Sequence, residues 1–98
     1  MVDFLEAVVL LLPTDAGGRV LGIAPREGSY RPTVGSTPML FIEGPPTIEP
    51  GQAARVVVEI EEGADRLQLT AGAELQIFEQ ERVVGILTVT RLCRSMAV

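Results

Sequence analysis

Histidine, lysine, asparagine and tryptophan are missing from these 98 residues, and cysteine occurs once. Without histidine the chain cannot build a Ser-His or Cys-His nucleophile pair. The single cysteine, Cys93, excludes an internal disulfide and is typical of a reducing compartment. No set of cysteine, histidine or aspartate residues has the spacing of metal ligands. We therefore expect a protein that is not an enzyme and uses no metal or other cofactor.

Long apolar runs and N-terminal basic residues are also missing. The run at residues 7–12 is far shorter than the ~20 residues that a membrane-spanning helix needs. Asp3 and Glu6 stand where a signal peptide would carry lysine or arginine. We therefore expect a cytoplasmic protein that does not associate with a membrane.

Charge and aromatic content limit the partners and the core. Thirteen acidic residues against eight arginines give a net charge of −5. Such a domain repels nucleic-acid phosphates unless its arginines cluster on one face. With one tyrosine and three phenylalanines, the core must be built from valine, leucine and isoleucine, which suit β-sheets. The length predicts one domain, residues 1–98, with a single core.

Short apolar segments separated by glycine and proline indicate an all-β fold. We predict strands at Phe4–Leu12, Arg19–Ile23, Thr37–Glu43, Ala54–Glu61 and Arg66–Thr70, with an irregular segment over residues 24–35. The chain closes with a hairpin inside Ala73–Leu92. For Phe4–Leu12 a short buried helix is the alternative, because periodicity does not separate the two. The segment Glu49-Pro50-Gly51-Gln52 predicts a type II turn.

No segment shows helical periodicity over three turns, so the fold class is a small antiparallel barrel or sandwich. The clearest alternation lies in Ala54–Glu61, where Val56 and Val58 share one face and Val57 takes the other. That pattern predicts one face on the core and one in water. Closure into a barrel would also remove exposed sheet edges.

The order of several short motifs is similar to that of a known domain. They read Val8-Val9-Leu10-Leu11-Leu12, Gly17-Gly18-Arg19, Gly28-Ser29-Tyr30-Arg31-Pro32, Pro50-Gly51, Glu79 and Arg82-Val83-Val84-Gly85. Over nearly its whole length the chain thereby resembles the C-terminal, third domain of translation elongation factor Tu of bacteria. The resemblance implies a closed six-stranded antiparallel β-barrel, here without the GTPase domain. A phosphate-binding Gly-x-x-x-x-Gly-Lys motif is missing, so we expect no bound nucleotide.

In that family the domain contributes to the surface that holds the T stem of aminoacyl-tRNA and helps to bind the nucleotide-exchange factor. Position by position, the resemblance implies a partner or RNA surface at Arg19, Tyr30, Arg31 and Arg82. Arginine suits this role because it binds phosphate or carboxylate through two parallel hydrogen bonds and stacks on rings. The alternative is structural: Arg31 pairs internally, Arg19 and Arg82 are solvated, and Tyr30 packs beneath the loop.

The hairpin tip departs from the family pattern. It reads Phe78-Glu79-Gln80-Glu81-Arg82, where the family has Arg-Glu-Gly-Gly-Arg. One arginine is lost and Glu81 is gained, which is unfavourable for contact with RNA phosphates. Without two glycines we also predict a turn other than type I′, which needs positive φ at both central residues.

Apolar residues on predicted outer faces suggest a different kind of site. Val57 and Phe78 both occupy such positions, and large exposed apolar patches mark interfaces. We expect Phe78, with Val57 or Val83 nearby, to lie in an interface with a partner or a second copy. The first expected function is thus a non-catalytic module that engages a protein partner or itself through the barrel exterior. The second is an RNA-binding (tRNA-binding) module, and a hydrolase using Cys93 is a formal third.

Overall fold

The structure, a computed structural model, describes residues 3–25, 30, 32–34, 37–60 and 70–94. The strands are β1 (Asp3–Leu11), β2 (Thr33–Val34), β3 (Thr37–Glu43), β4 (Ala53–Ile60), β5 (Glu74–Glu79) and β6 (Arg82–Arg94), and a 3₁₀ turn covers Thr14–Ala16. They close into one antiparallel barrel in the order β1-β4-β3-β2-β5-β6. The predicted six-stranded all-β barrel is confirmed. Over these described ranges, no helix has the length and apolar character needed to cross a bilayer.

The barrel interior is filled by apolar side chains, most of them aliphatic. From Leu5 onward every second residue of β1 points inward and is buried, namely Leu5, Ala7, Val9 and Leu11. β1 pairs with both β4 and β6, so its apolar run is a strand and the helical alternative is wrong. Branched side chains and the following Pro13 favour that outcome.

Strand β4 shows the predicted alternation. Val56, Val58 and Ile60 are buried, whereas Arg55 is exposed and Val57 is only partly buried. Because successive side chains of a strand point to opposite faces, this pattern places one face on the core and the other on the outer wall.

The strand predicted at Arg19–Ile23 is wrong. Only Ile23 makes a β-bridge, to Ile48, while Val20 and Leu21 are 78% and 72% exposed. Val20 and Leu21 therefore lie outside the sheet, between Arg19 and the single bridge at Ile23. The place of the predicted strand in the sheet is taken by β2, which lies within the segment that we expected to be irregular. Of the strand predicted at 66–70, residues 66–69 lie outside the described part, and Thr70 lies before β5 rather than in a strand.

The turn at Gly51 and the turn at the tip of the β5–β6 hairpin both follow from backbone conformation. Gly51 has φ +87°, and the Gln52 N–H donates to the Glu49 carbonyl at 3.0 Å, as the predicted type II turn requires. At the β5–β6 tip Gln80 has φ +57° and Glu81 does not have positive φ. The prediction of a turn other than type I′ is therefore confirmed. The loop between the paired residues Glu79 and Arg82 still has two residues. A β-bulge follows at once in β6, because Ile77 pairs with Gly85 and Phe78 with Val83.

Candidate functional site

Two adjacent glycines determine where Arg19 lies. Gly17 ends the 3₁₀ turn with φ +90°. Gly18 is buried, and a Cβ atom there would lie 2.0 Å from the Leu12 carbonyl oxygen. Its N–H donates to the Pro13 carbonyl, and the Thr14 hydroxyl donates to the Arg19 carbonyl at 2.7 Å. This close approach of backbone to backbone directs Arg19 towards the β5–β6 hairpin.

Arg19, Tyr30 and Glu79 form a hydrogen-bonded group, called here the arginine–tyrosine cluster. One carboxylate oxygen of Glu79 accepts from the Arg19 guanidinium and also from the Tyr30 hydroxyl, the latter at 2.6 Å. The guanidinium carbon lies 4.7 Å from the centre of the Tyr30 ring, within the range of a cation–π contact. The Arg19 Nε–H donates to the Leu21 carbonyl at 3.1 Å. The cluster therefore joins the loop after β1, the loop before β2 and the hairpin tip.

Phe41 connects the cluster to the core. Its ring lies nearly parallel to that of Tyr30, with centroids 6.0 Å apart and planes at 14°, and it is only 3% exposed. This contact has no signal in the sequence, because the two rings lie on separate elements that only the fold brings together. The alternative that Tyr30 is a packed ring is supported by this contact.

The pKa values of the cluster reflect burial and the shared acceptor, Glu79. Burial raises the pKa of Tyr30 well above its usual value, and the hydrogen bond to Glu79 and the charge of Glu79 add to this. Burial alone would raise the pKa of Glu79, but hydrogen bonds from Tyr30 and Arg19 outweigh it, and the pKa is lowered. Burial likewise opposes the charge of Arg19, yet Glu79 keeps the Arg19 pKa above its usual value. The three groups stay in the forms that bind one another: Arg19 and Glu79 charged, and Tyr30 neutral.

The three predicted surface residues in the described part of the chain all lie around Glu79. Arg19 and Tyr30 meet at Glu79, so the structural alternative in which Arg19 is solvated is wrong; its side chain is 23% exposed. Arg82 is exposed and pairs across the hairpin with Glu79. Arg31 lies outside the described residues. Glu79 is the centre of the group, because its carboxylate accepts from both Arg19 and Tyr30. The sequence indicated this residue only through the resemblance.

A shallow cavity of about 360 Å³ lies beside the cluster. Its lining includes Arg19, Tyr30, Thr47 and Glu49. The Glu49 carboxylate offsets the positive charge of Arg19, so the cavity does not favour an anion such as a phosphate. Over the described ranges no three cysteine, aspartate or glutamate side chains come close enough to hold a metal ion.

The apolar interface candidates lie on opposite walls. Phe78 and Val83 are cross-strand neighbours on β5 and β6 and are both partly buried. Val57 is on β4, three strands from β5 in either direction around the barrel. One interface can therefore contain Phe78 with Val83, or Val57, but not all three.

The wall that holds Val57 is concave. An open depression of about 1060 Å³ spans the outer faces of β6, β1, β4 and β3. We call it the outer groove and define it by apolar Val8, Ile42 and Val57 and by charged Glu6, Glu43, Arg55 and Arg91. Ile42 is 37% exposed, and the four charged residues are exposed. Apolar side chains framed by charges are an arrangement typical of protein interfaces.

Titration of Tyr30 tests the cluster directly. Because Tyr30 is the only tyrosine and tryptophan is missing, the ultraviolet absorbance of tyrosinate reports this residue alone. We expect its ionisation above the ordinary pKa of about 10, and a fall towards that value in Glu79→Gln. Glu81→Gln, which changes a neighbouring exposed carboxylate, is the control and should not alter the titration. Equal curves for wild type and Glu79→Gln would contradict the cluster.

The lowered pKa of Glu79 also predicts the sign of a stability effect. Its contribution to the free energy of unfolding is present above the ordinary carboxyl pKa of about 4.3 and is lost as pH falls through the lowered folded value. Its size is modest, since the Glu79 side chain is 28% exposed and water screens the pair.

Comparison with known proteins gives no relative from which a role could be transferred. A scan against protein-family models finds no match, and a search of the curated proteins finds none. The function must therefore be argued from the barrel, the arginine–tyrosine cluster and the outer groove.

Proposed function

We propose that this protein is a non-catalytic interaction module that binds a protein, either a partner or a second copy, through the exterior of its barrel. The observation that carries the proposal is the outer groove, where Val8, Ile42 and Val57 form apolar lining beside four exposed charges. The likeness in motif order to the third domain of elongation factor Tu points to the same role, and the closed six-stranded antiparallel barrel that it implied is the fold found.

The filled interior supports a role for the outer wall. Buried aliphatic side chains come from all six strands, as in Leu5, Val34, Met39, Val58, Ile77 and Leu87. Such an interior leaves binding to the exterior. In this proposal the arginine–tyrosine cluster has a structural role, because its three side chains form hydrogen bonds with one another.

RNA binding stays the second prediction, and fewer features of the structure support it. Arg19 is committed to Glu79, and Glu49 lies in the cavity beside it. Of the four residues that the resemblance implied, Arg82 is the one in the described part that is exposed. RNA binding would weaken steeply with rising salt, since each neutralised phosphate releases counterions.

An affinity capture from the cytoplasm of the source cell tests the proposal. The tagged protein, Val57→Glu and Phe78→Glu are each incubated with extract, with and without nuclease. We expect a complex, homotypic or with another protein, that survives nuclease, is lost in Val57→Glu and is kept in Phe78→Glu. Loss of the complex on nuclease treatment would favour RNA. The absence of any complex, together with a monomeric wild type, would overturn the proposal.

A further inference from the structure

We infer that the face bearing the outer groove packs against the same face of a second copy of this chain, in a two-fold symmetric dimer held by Arg91 of each copy against Glu43 of the other. The inference rests on the proposed function and names the partner of the same site. It commits to an isologous contact, in which one patch faces its own image.

The strand register supplies the first argument. Arg91 pairs with Glu6 across β6 and β1, Glu6 pairs with Val57 across β1 and β4, and Val57 pairs with Glu43 across β4 and β3. These residues form one row across four strands, about 14 Å long at the usual strand spacing. The row is positive at the Arg91 end and negative at the Glu43 end. A two-fold axis parallel to the strands, between β1 and β4, exchanges the ends and sets each Arg91 opposite Glu43 of the other copy.

The charge balance of the groove supplies the second argument. Glu6, Glu43, Arg55 and Arg91 sum to zero in a chain of net charge −5. Among the described residues none of these four forms an ion pair. A neutral patch with separated opposite charges attracts its own image, whereas the acidic remainder of the chain repels another copy. Charge complementarity therefore favours a second copy over an acidic or a basic partner.

Two β-bulges shape this surface. Thr90 is the extra residue of β6 opposite β1, and Ile42 is the extra residue of β3 opposite β4. The Thr90 hydroxyl donates to the Glu6 carbonyl at 2.9 Å and stabilises the first bulge. Bulges redirect side chains and locally increase strand twist. Here both lie at the groove, and the second presents Ile42 as an apolar contact for the other copy.

Sedimentation equilibrium on charge-reversal variants tests the dimer. We expect the wild type to dimerise, and Arg91→Glu and Glu43→Arg each to raise the dimer dissociation constant at least about tenfold, because each places like charges opposite one another twice. An equimolar mixture of the two variants should dimerise again. In the mixed dimer one copy carries an acid at both ends of the row and the other an arginine at both, so opposite charges face one another twice. A symmetric patch predicts this rescue, and general damage to the fold does not.

The controls separate failure of the dimer from failure of the proposed function. Arg82→Glu and Glu81→Arg reverse exposed charges at the hairpin tip and should leave dimerisation unchanged. Dimers lost in Phe78→Glu but kept in Arg91→Glu would move the interface to the opposite wall and overturn the inference. A monomeric wild type would also overturn it. If its nuclease-resistant complex with another protein were lost in Val57→Glu, the proposed function would still stand.

Discussion

Replacing Gly18 with alanine is expected to lower the free energy of unfolding by about 3 kcal/mol or more, at the upper end for overpacking. The added Cβ would lie 2.0 Å from the Leu12 oxygen and 2.8 Å from the Pro13 oxygen. Both are backbone atoms, so no side-chain rotation relieves the contact. For a domain of this size the melting temperature should fall by roughly 12 °C or more. Thermal unfolding followed by far-ultraviolet circular dichroism measures it.

The adjacent Gly17 is the matched control. It has φ +90°, but a Cβ there meets nothing within 4 Å. Gly17→Ala should therefore show only the strain of a left-handed backbone, about 1–2 kcal/mol. If Gly17→Ala destabilised the protein as much as Gly18→Ala, the close approach at Gly18 would not be the reason for the second glycine. Gly18→Ala should also disturb the Tyr30 titration, because it displaces Arg19.

Truncation of Phe41 to alanine is the second large effect. Phe41 is 3% exposed and stacks with Tyr30, so its loss opens a cavity and removes support from the arginine–tyrosine cluster. We expect the free energy of unfolding to fall by about 3–5 kcal/mol, a large share of the roughly 5–15 kcal/mol that stabilises a domain. Urea unfolding measures the loss, and the fluorescence of the single tyrosine should change in the native state.

Phe78→Ala removes the same ring from the outer wall and is the control. Phe78 is partly buried between Thr33 and Val83, so its truncation should destabilise clearly less than Phe41→Ala. Phe41→Leu should recover most of the stability, because it keeps more of the buried volume. Equal losses for Phe41→Ala and Phe78→Ala would contradict the assignment of inner and outer walls.

Elements whose pattern is local could be predicted from the sequence. The alternation in β4, the apolar run of β1 and the turn at Gly51 depend on residues within a few positions of one another. The segment Arg19–Ile23 was mispredicted because its apolar residues suit a strand, yet only Ile23 finds a bridge partner. Strand β2 was missed because two residues carry no period, and it exists through its pairing with β3 and β5.

The candidate sites were predicted less completely. Arg19, Tyr30 and Arg82 were found through motif order, but Glu79 could not be recognised as the shared acceptor, because 60 positions separate it from Arg19. The separation of Val57 from Phe78 follows from strand order, which alternation along single strands does not contain. The outer groove depends on bulges at Thr90 and Ile42, and a bulge changes register without a distinct sequence signal.

By itself, the sequence determined that this protein is an aliphatic β-structure without histidine chemistry, because composition and period-two alternation act locally. Tertiary structure alone decided where the charges lie: Arg19 against Glu79, and Arg91 and Glu43 at opposite ends of one row on the outer wall. The reason is physical. Side-chain direction along a strand is set by neighbouring residues, whereas contact between strands is set by register and closure of the whole barrel.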